Sequence, residues 1–571
     1  MPQATLSTRT LFQILGSEIS PREVEDLLFR TKVELHEVKD PEMMVEVTHD
    51  RLDLLCESGL ANLLSGLLHQ RPLATLPPTL SPSGFSVRVD PSVAPLRPEI
   101  ALAVVRAPEG SGIDAGLLSE LIKFQEILHT SLGINRREGS IGLYPLRGLV
   151  SPLTYSLEKV EGLRFTPLAV EGVPSSGEQD VSEFLSSHPM ALKYGSLGHT
   201  KDRTLVLKDS AGTLLSLPPI LNAAKHGEIR VGEKEVLIES TGKNSRTVRD
   251  LVGYMMLPFV TRGWTVHSTT NVVQGNSPSE PRWATLRKVA IASSTAEHLL
   301  GRPIGAAKIH QDLMAAGFDA EVRGPEFSVR VPPWRPDVLG EVDLVEEVMV
   351  LEGIASFPPQ ESGHQTQGRM LPLSRYSEKL AEILLGMGYQ EAHTPVLLPR
   401  DLSRRLCPEK STLELSNPVS EELSVVRSTL LPSLMLALSL NTGQSYPQRL
   451  YEIADVVEVA PETPTGSSTR LHLCAVLAGE GAGFANAMAL LERLMRAIGS
   501  SAVREPGNEL GGIPGRVAEL SLAGEKLAVV GEVHPEILVD LKLQQPVCWT
   551  EIDLTLLWTL KGNGPRDAVP S

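Results

Sequence analysis

The spacing of hydrophobic residues predicts both helices and strands along this chain. After Ser20, apolar residues recur every three or four positions, which predicts a helix with Ser20 as N-cap, Pro21 at its first position and Glu23 closing a capping box. The segments DLVEEVMVLEGI and YSEKLAEILLGMGYQ predict two further amphipathic helices. By contrast, TLVLKD and TLLSLPPI, separated by the turn residues Asp209 to Gly212, predict a β-hairpin. The chain is therefore expected to be a multidomain protein of the α/β and α+β classes.

Segments rich in Pro, Ser and Gly separate these elements into domains. With 571 residues the chain is too long for one hydrophobic core. RPLATLPPTLSPSGFSV, GNSPSEPRW and FPPQESGHQTQGR have the composition of linkers. We predict an N-terminal α/β domain at 1–75, a large mixed domain at 85–278, a small helical domain at 285–360, a longer α/β module at 366–560 and a disordered tail at 561–571.

The composition of the chain predicts its compartment, the state of its cysteines and its affinity for nucleic acid. Every apolar run is shorter than the ~20 residues of a membrane helix, and the first residues lack the pattern of a signal peptide. We therefore expect a cytoplasmic protein with no membrane contact. The four cysteines lie far apart and predict buried thiols rather than a zinc site or disulfides. A net charge of −16 predicts that the chain alone binds nucleic acid weakly.

The segment 331–354, VPPWRPDVLGEVDLVEEVMVLEGI, concentrates carboxylates. Asp343, Glu346 and Glu347 are spaced i, i+3 and i+4 and share one side of the predicted helix, with Asp337 just upstream. Carboxylates this close repel one another unless a cation or a basic partner neutralises them, and such oxygen ligands suit Mg²⁺. From spacing alone, an acidic solvated helix face is the alternative interpretation.

Six motifs in a fixed order resemble a known family. In chain order they are EVTHDRLDLLCESGLAN, FQEILHTSLGINRREGSIG, VPPWRPDVLGEVDLVEE, ELSNPVSEELSVVRSTLLPSL, RLYEIADVVEV and GEVHPEIL. The set is similar to the β subunits of archaeal and eukaryotic phenylalanyl-tRNA synthetases. The resemblance implies an editing-type domain at 85–278, a small winged-helix-like helical domain at 285–360 and a degenerate class II synthetase module at 366–560.

The resemblance also implies a metal and partners. In the family, acids at the positions of Asp337, Asp343, Glu346 and Glu347 bind Mg²⁺. A partner α subunit would activate phenylalanine with ATP and charge tRNA(Phe), within an α2β2 heterotetramer. The present chain would supply no catalytic residue for aminoacylation, and we interpret Arg427 as structural. Arg136 and Arg137 are candidate tRNA contacts, with a solvated turn as the alternative.

A pocket for hydrolytic editing of tyrosyl-tRNA is the second implied function. Carried over by motif position, it comprises Leu207, Ser216, Glu239 and Thr241. A carboxylate and hydroxyls in an apolar pocket would accept a tyrosine hydroxyl and reject phenylalanine, which leaves them unpaired.

The chain departs from the family pattern at this pocket in two places. Glu239 stands where the family has Asp, and Tyr144-Pro145 stand where it has His-Asp. A β subunit that edits, a non-editing scaffold subunit and a stand-alone hydrolase of mischarged tRNA therefore remain alternatives.

Overall fold

The computed structural model divides the chain into two compact units, Met1–Gln360 and Glu361–Ser571. It describes residues 2–39, 41–77, 79–170, 172–175, 177–273, 283, 286–361, 363, 367–407, 412–499, 503–507 and 511–561. All but the first residue of the predicted tail lies outside these ranges, as does most of the GNSPSEPRW linker. Every described helix is too short or too polar to cross a lipid bilayer.

The first unit begins with a small α/β domain. Its elements are β1 (Gln3–Ser7), α1 (Thr8–Leu15), α2 (Pro21–Leu28), β2 (Val33–Lys39), β3 (Glu42–Val47) and α3 (Glu57–His69). The strands form an antiparallel sheet in the order β1-β3-β2. The capping box predicted at α2 is confirmed, because Ser20 Oγ accepts from the Glu23 backbone amide and the Glu23 carboxylate accepts from the Ser20 amide.

A nine-stranded sheet follows, in the order β12-β11-β10-β7-β4-β14-β5-β13-β6. Its strands are β4 (Ser81–Val89), β5 (Glu99–Arg106), β6 (Gly139–Pro145), β7 (Leu153–Lys159), β10 (Arg203–Lys208), β11 (Leu214–Leu217), β12 (Leu221–Asn222), β13 (Glu235–Gly242) and β14 (Thr265–Val273). The same domain contains α4 (Ala115–Thr130), a short hairpin of β8 (Arg164–Phe165) and β9 (Gln179–Asp180), α5 (Val181–Ser187), α6 (Pro189–Tyr194), α7 (Ala224–Gly227) and α8 (Ser245–Val260). The predicted hairpin is confirmed as β10 and β11.

Strand β5 shows why this sheet has two hydrophobic layers. Alternate residues Ala101, Ala103 and Val105 face the core that includes α4 and α8, while Ile100, Leu102 and Val104 face a second core on the other side. A strand buried on both faces reads as a continuous apolar run. The second core surrounds Tyr144 and Leu207.

The small domain predicted at 285–360 is less helical than its sequence indicated. Three helices, α9 (Ser293–Leu300), α10 (Ala306–Ala315) and α11 (Glu341–Glu352), accompany three strands, β15 (Arg287–Ala292), β16 (Asp319–Arg323) and β17 (Glu326–Val331). The strands form an antiparallel sheet in the order β15-β17-β16. The expectation of a helical domain therefore missed a sheet, since its strands are only five or six residues long and the Gly/Pro turns between helices dominate the pattern.

The second unit is built on a seven-stranded sheet in the order β18-β21-β22-β26-β25-β24-β23. Its strands are β18 (Gln390–Glu391), β21 (Gln448–Val459), β22 (Ser467–Ala478), β23 (Val503–Pro506), β24 (Gly512–Leu522), β25 (Glu525–Val533) and β26 (Val547–Asp553), and β19 (Leu397–Leu398) pairs separately with β20 (Val425–Val426). The helices are α12 (Pro372–Gly386), α13 (Arg400–Leu406), α14 (Leu431–Leu440), α15 (Phe484–Ala497), α16 (Pro535–Asp540) and α17 (Leu554–Leu560). Side chains of α12, α15 and α17 cover one face, and those of α13, α14 and α16 cover the other. All four cysteines of the chain are free and buried, as predicted.

Candidate functional site

The predicted editing residues lie on three strands of the nine-stranded sheet. Leu207 of β10 pairs directly with Ser216 of β11, while Glu239 and Thr241 lie on β13. All four side chains are buried. Strand order separates β11 from β13 by five other strands, so the sheet must curve strongly for their side chains to meet.

Tyr144 of β6 connects the two sides of this curved sheet. Its hydroxyl oxygen lies 2.8 Å from Ser216 Oγ, 3.1 Å from Glu239 Oε2 and 3.3 Å from Asn222 Oδ1. A phenol has one hydroxyl hydrogen and donates it to one acceptor at a time, so the three oxygens compete for the hydrogen of Tyr144. The ring is completely buried. The groups expected to accept a tyrosine hydroxyl therefore already contact a tyrosine of the chain itself.

Gly142 makes room for this arrangement. It lies two residues before Tyr144 on β6 and pairs with Glu239 on β13. A Cβ atom at Gly142 would lie 2.4 Å from Glu239 Oε2, 2.5 Å from the Tyr144 hydroxyl and 2.9 Å from Tyr144 Cε2. Residues i and i+2 of a strand face the same side, so the tyrosine ring extends back over the glycine.

Burial controls the charge of the carboxyl group in this pocket. It raises the pKa of Glu239 to about 7, against the opposing effects of the Tyr144 hydrogen bond and the Arg97 guanidinium. Glu239 Oε1 has no hydrogen-bond partner among the described residues. Burial also raises the pKa of Tyr144 well above its usual range, with a further contribution from Glu239. The Tyr144 phenol is thus held neutral.

Thr241 lies beside the pocket, where its side chain acts with Tyr144 and Arg97 to lower the pKa of Glu239 against the effect of burial, and it also contacts other groups. Its hydroxyl oxygen is 3.2 Å from Ser140 Oγ, and its carbonyl accepts from Nη2 of the buried Arg97 at 2.5 Å. The structure thus brings Ser216 and Glu239 to one point, places Leu207 in the surrounding core and holds Thr241 next to Arg97. Their role in editing stays a prediction.

Sequence reasoning missed Asn222 and Arg97 and noted Tyr144 only as a departure from the family pattern. The sequence did offer a signal for Tyr144, because this tyrosine lies in a motif beside a pocket that is expected to recognise tyrosine. Asn222 and Arg97 carried no local signal, because their partners lie far away along the chain.

The two candidate tRNA contacts differ in accessibility. Arg136 is buried: its Nη2 donates to Glu126 at 2.7 Å, its Nη1 donates to the carbonyls of Pro219 and Ile220 at 3.2 Å, and its guanidinium lies 4.5 Å from the centre of the Tyr194 ring. These contacts anchor a turn, so a phosphate contact through Arg136 does not fit its position. Arg137 is exposed, and its contact with tRNA stays a prediction.

Each of the four predicted magnesium ligands contacts other groups of the protein. Asp343 caps its own helix by accepting the amides of Leu339 and Gly340 at 2.7 and 2.8 Å. Glu346 pairs with Lys32 at 2.9 Å. Asp337 and Glu347 both contact Arg335.

Two guanidinium groups lie between the buried carboxylates of this region. Arg335 holds Asp337 in a bidentate pair and donates to Glu347 Oε1 at 2.6 Å. Arg51 of the N-terminal domain holds Asp53 in the same way and lies 3.5 Å from the same Glu347 oxygen. Burial acts to raise the pKa of Glu347, but Arg335 and Arg51 outweigh it and hold that pKa below its ordinary value.

The arrangement just described does not fit a magnesium site. Two of the four acids pair with arginine and one with lysine, and the fourth accepts hydrogen bonds from backbone amides. Within the described ranges, no group of three or more His, Cys, Asp or Glu side chains is arranged to hold a metal ion. Protein groups already satisfy the four acids, and the magnesium site stays a prediction.

A cavity of about 210 Å³ lies against the sheet of the second unit. Four of its lining residues form two pairs: His472 Nδ1 is 2.8 Å from Glu551 Oε1, and Arg470 pairs with Asp553 at 2.8 Å. Glu551 also accepts the amides of Leu430 and Leu431, where α14 begins. These groups therefore stabilise the sheet and the helix end.

Arg427 is likewise enclosed by protein groups. Its Nη1 donates to Glu452 Oε1 at 2.9 Å and to Thr394 Oγ1 at 3.0 Å, and its Nε donates to the Asp455 carbonyl at 2.9 Å. Arg427 and Glu452 are both buried. These contacts support the structural interpretation of this arginine.

Comparison with known proteins identifies the family. Residues 289–354 match the model of the tRNA synthetase B5 domain, and residues 358–554 match that of the phenylalanyl tRNA synthetase beta chain CLM domain. The chain is 30% identical over 569 residues to the phenylalanine–tRNA ligase beta subunit of Pyrococcus horikoshii, covering 98% of this chain and 100% of that protein. It is 27% identical over 568 residues to the beta subunit of Methanocella arvoryzae, with coverage of 98% and 100%.

A solved structure agrees with this assignment. The crystal structure of an N-terminal fragment of the Pyrococcus horikoshii phenylalanyl-tRNA synthetase beta subunit matches with a TM-score of 0.55 and 25% identity, over 61% of this chain and 99% of that fragment. The match in sequence extends over the whole length of the archaeal relatives. This chain belongs to the family of phenylalanine–tRNA ligase β subunits.

Proposed function

We propose that this chain acts with an α subunit as a phenylalanine–tRNA ligase in the cytoplasm. The α subunit activates phenylalanine with ATP and transfers it to tRNA(Phe), and the chain described here supports assembly and tRNA binding. The observation that carries this proposal is the match to β subunits over 98% of the chain. An α2β2 heterotetramer is the assembly we expect.

The second unit supports a non-catalytic role in charging. Arg427 is enclosed by Glu452, Thr394 and the Asp455 carbonyl, and four residues of the nearby cavity form two pairs with one another. A side chain engaged in this way is poorly placed to bind ATP. Activation of phenylalanine is therefore assigned to the partner subunit.

Co-expression with the α subunit of the same genome tests the proposal. We expect a complex whose mass equals two copies of each chain, and phenylalanine charging of tRNA(Phe) only when both chains are present. The isolated chain is expected to bind tRNA weakly because of its net charge of −16. A chain that stays unassociated, beside an α subunit that charges tRNA by itself, would contradict the proposal.

Hydrolytic editing of tyrosyl-tRNA(Phe) is the second candidate function. The convergence of Ser216 and Glu239 in an apolar surrounding supports it, because such groups can recognise a tyrosine hydroxyl. However, the hydroxyl of Tyr144 already occupies that point, and its ring is fully buried. Between the alternatives raised by the sequence, we therefore propose the β subunit that does not edit at this pocket.

A stand-alone hydrolase of mischarged tRNA is the third alternative. Such an enzyme would use the same pocket without an α subunit, so it would face the same obstruction by Tyr144. Activity of the isolated chain toward tyrosyl-tRNA distinguishes it from the two subunit alternatives.

A further inference from the structure

Tyr144 presents a phenol to the groups that a tyrosine ligand would use. Its hydroxyl contacts Ser216 Oγ, Glu239 Oε2 and Asn222 Oδ1 within 3.3 Å, and these acceptors come from three different strands. A tyrosine that only filled core volume would need one hydrogen-bond partner. Three converging polar groups around one hydroxyl constitute a recognition site for a phenol.

The space around the ring is also closed. Leu207, Leu237 and Tyr155 belong to the same buried core as Tyr144, and no part of the Tyr144 side chain is accessible to solvent. Protein cores are close-packed, so a second aromatic ring can enter only if the first one leaves. Gly142 adds to this fit, since any side chain there would collide with both the Tyr144 hydroxyl and the Glu239 carboxylate.

We propose that Tyr144 is a built-in occupant of a phenol-binding subsite, and that it determines specificity by excluding tyrosyl groups from the pocket. The inference deepens the proposed non-editing role, and it rests on that role only for the identity of the excluded group. Removal of the Tyr144 ring opens a cavity that binds free phenol through Ser216, Asn222 and Glu239.

The first experiment measures ligand binding to the full-length variant Tyr144→Ala. This substitution removes a volume of about one phenol molecule from the side chain. Circular dichroism first establishes that the variant is folded. Thermal unfolding is then followed with increasing phenol and, separately, benzene. We expect saturable stabilisation by phenol, and binding about tenfold or more tighter than that of benzene, because benzene leaves the buried polar groups unpaired.

Two comparisons make this result specific. The wild-type chain should show no stabilisation by phenol at the same concentrations, since its subsite is full. The double variant Tyr144→Ala plus Ser216→Ala retains the cavity but loses one polar partner, so its preference for phenol over benzene should fall. The inference would be overturned if the folded Tyr144→Ala variant is not stabilised by phenol, or if it binds phenol and benzene equally well.

A second measurement keeps the inference testable if Tyr144→Ala does not fold. The wild-type chain is labelled with 3-fluorotyrosine, and Tyr144→Phe identifies the Tyr144 signal in the fluorine NMR spectrum. We expect this signal to stay unchanged when millimolar tyrosinamide is added. A shift or loss of the signal would mean that the ring yields to a ligand, which would overturn the inference. Neither measurement involves an α subunit, so failure here and failure of the subunit assignment are distinguishable.

Discussion

Glu347 Oε1 lies 2.6 Å from Nη2 of Arg335 and 3.5 Å from Nη1 of Arg51. One buried carboxylate thereby links two arginines whose positions are almost three hundred residues apart in the sequence. All three side chains are shielded from water. Because a buried charge is costly without its partner, this contact makes the stability of the first unit dependent on Glu347.

Replacement of Glu347 by glutamine should destabilise the first unit strongly. It leaves two buried guanidiniums with one carboxylate fewer, and removal of a partner from a buried ion pair costs about 3 to 5 kcal/mol. The adjacent variant Glu346→Gln is a matched control, since Glu346 is partly exposed and its pair with Lys32 contributes less than about 1 kcal/mol. Urea unfolding of both variants checks this, and equal effects of the two substitutions would contradict it.

Chelation of divalent metal should leave the unfolding temperature of the chain unchanged. Arginine or lysine already pairs with three of the four acids predicted to bind magnesium, and backbone amides donate hydrogen bonds to the fourth. We therefore expect a shift below about 1 °C when the chain is dialysed against EDTA, by the usual relation between stability and midpoint. A drop of several degrees that added Mg²⁺ restores would support the magnesium site expected from the sequence.

The buried carboxyl of Glu239 should make the chain less stable as pH rises. Its pKa is about 7 in the folded chain, against an ordinary value of 4.5. Between these pH values the folded chain holds a proton that the unfolded chain releases. The contribution of Glu239 to the free energy of unfolding is therefore fully present below about pH 4.5 and is lost as pH rises through about 7. The loss is on the order of 3 kcal/mol.

Glu239→Gln should remove that pH dependence. The variant is expected to gain stability relative to the wild type between about pH 5 and pH 8, as measured by urea unfolding at each pH. Glu235→Gln, at the exposed start of the same strand, controls for loss of a carboxylate. Parallel pH profiles for the wild type and Glu239→Gln would contradict the assignment.

Arg427→Leu should affect stability rather than catalysis. It leaves Glu452 buried without its cation, at a cost of about 3 kcal/mol or more in the free energy of unfolding of the second unit. Charging activity per assembled complex should stay near the wild-type value. The control Arg404→Leu removes an exposed arginine paired with Glu414 and should cost less than about 1 kcal/mol. Loss of charging with unchanged stability would assign Arg427 a catalytic role instead.

Local features of the fold were predictable because their causes are local. The capping box at α2 depends on Ser20 and Glu23, three residues apart, and the hairpin of β10 and β11 depends on a four-residue turn. The sheet of 287–331 was missed because its short strands lie among stronger helical patterns. Domain boundaries within the first unit stay predictions.

The candidate site was only partly predictable, because its decisive contacts are distant in sequence. Motif position identified Ser216 and Glu239, but Tyr144 reaches them across 72 and 95 residues through the curvature of the whole sheet. Helical spacing likewise placed Glu346 and Glu347 together. It could not reveal that Arg51, 296 residues from Glu347, would neutralise one of them while Lys32 pairs with the other.

Hydrolysis of tyrosyl-tRNA(Phe) by the assembled, charging-competent complex tests the central claim most directly, namely that this β subunit supports charging with its pocket filled by Tyr144. The measurement follows deacylation of preformed tyrosyl-tRNA(Phe) under single-turnover conditions, with phenylalanyl-tRNA(Phe) as the reference substrate. We predict that the complex deacylates both at the spontaneous rate. Deacylation of tyrosyl-tRNA(Phe) at least about tenfold above that rate, abolished by Glu239→Gln, would contradict the account.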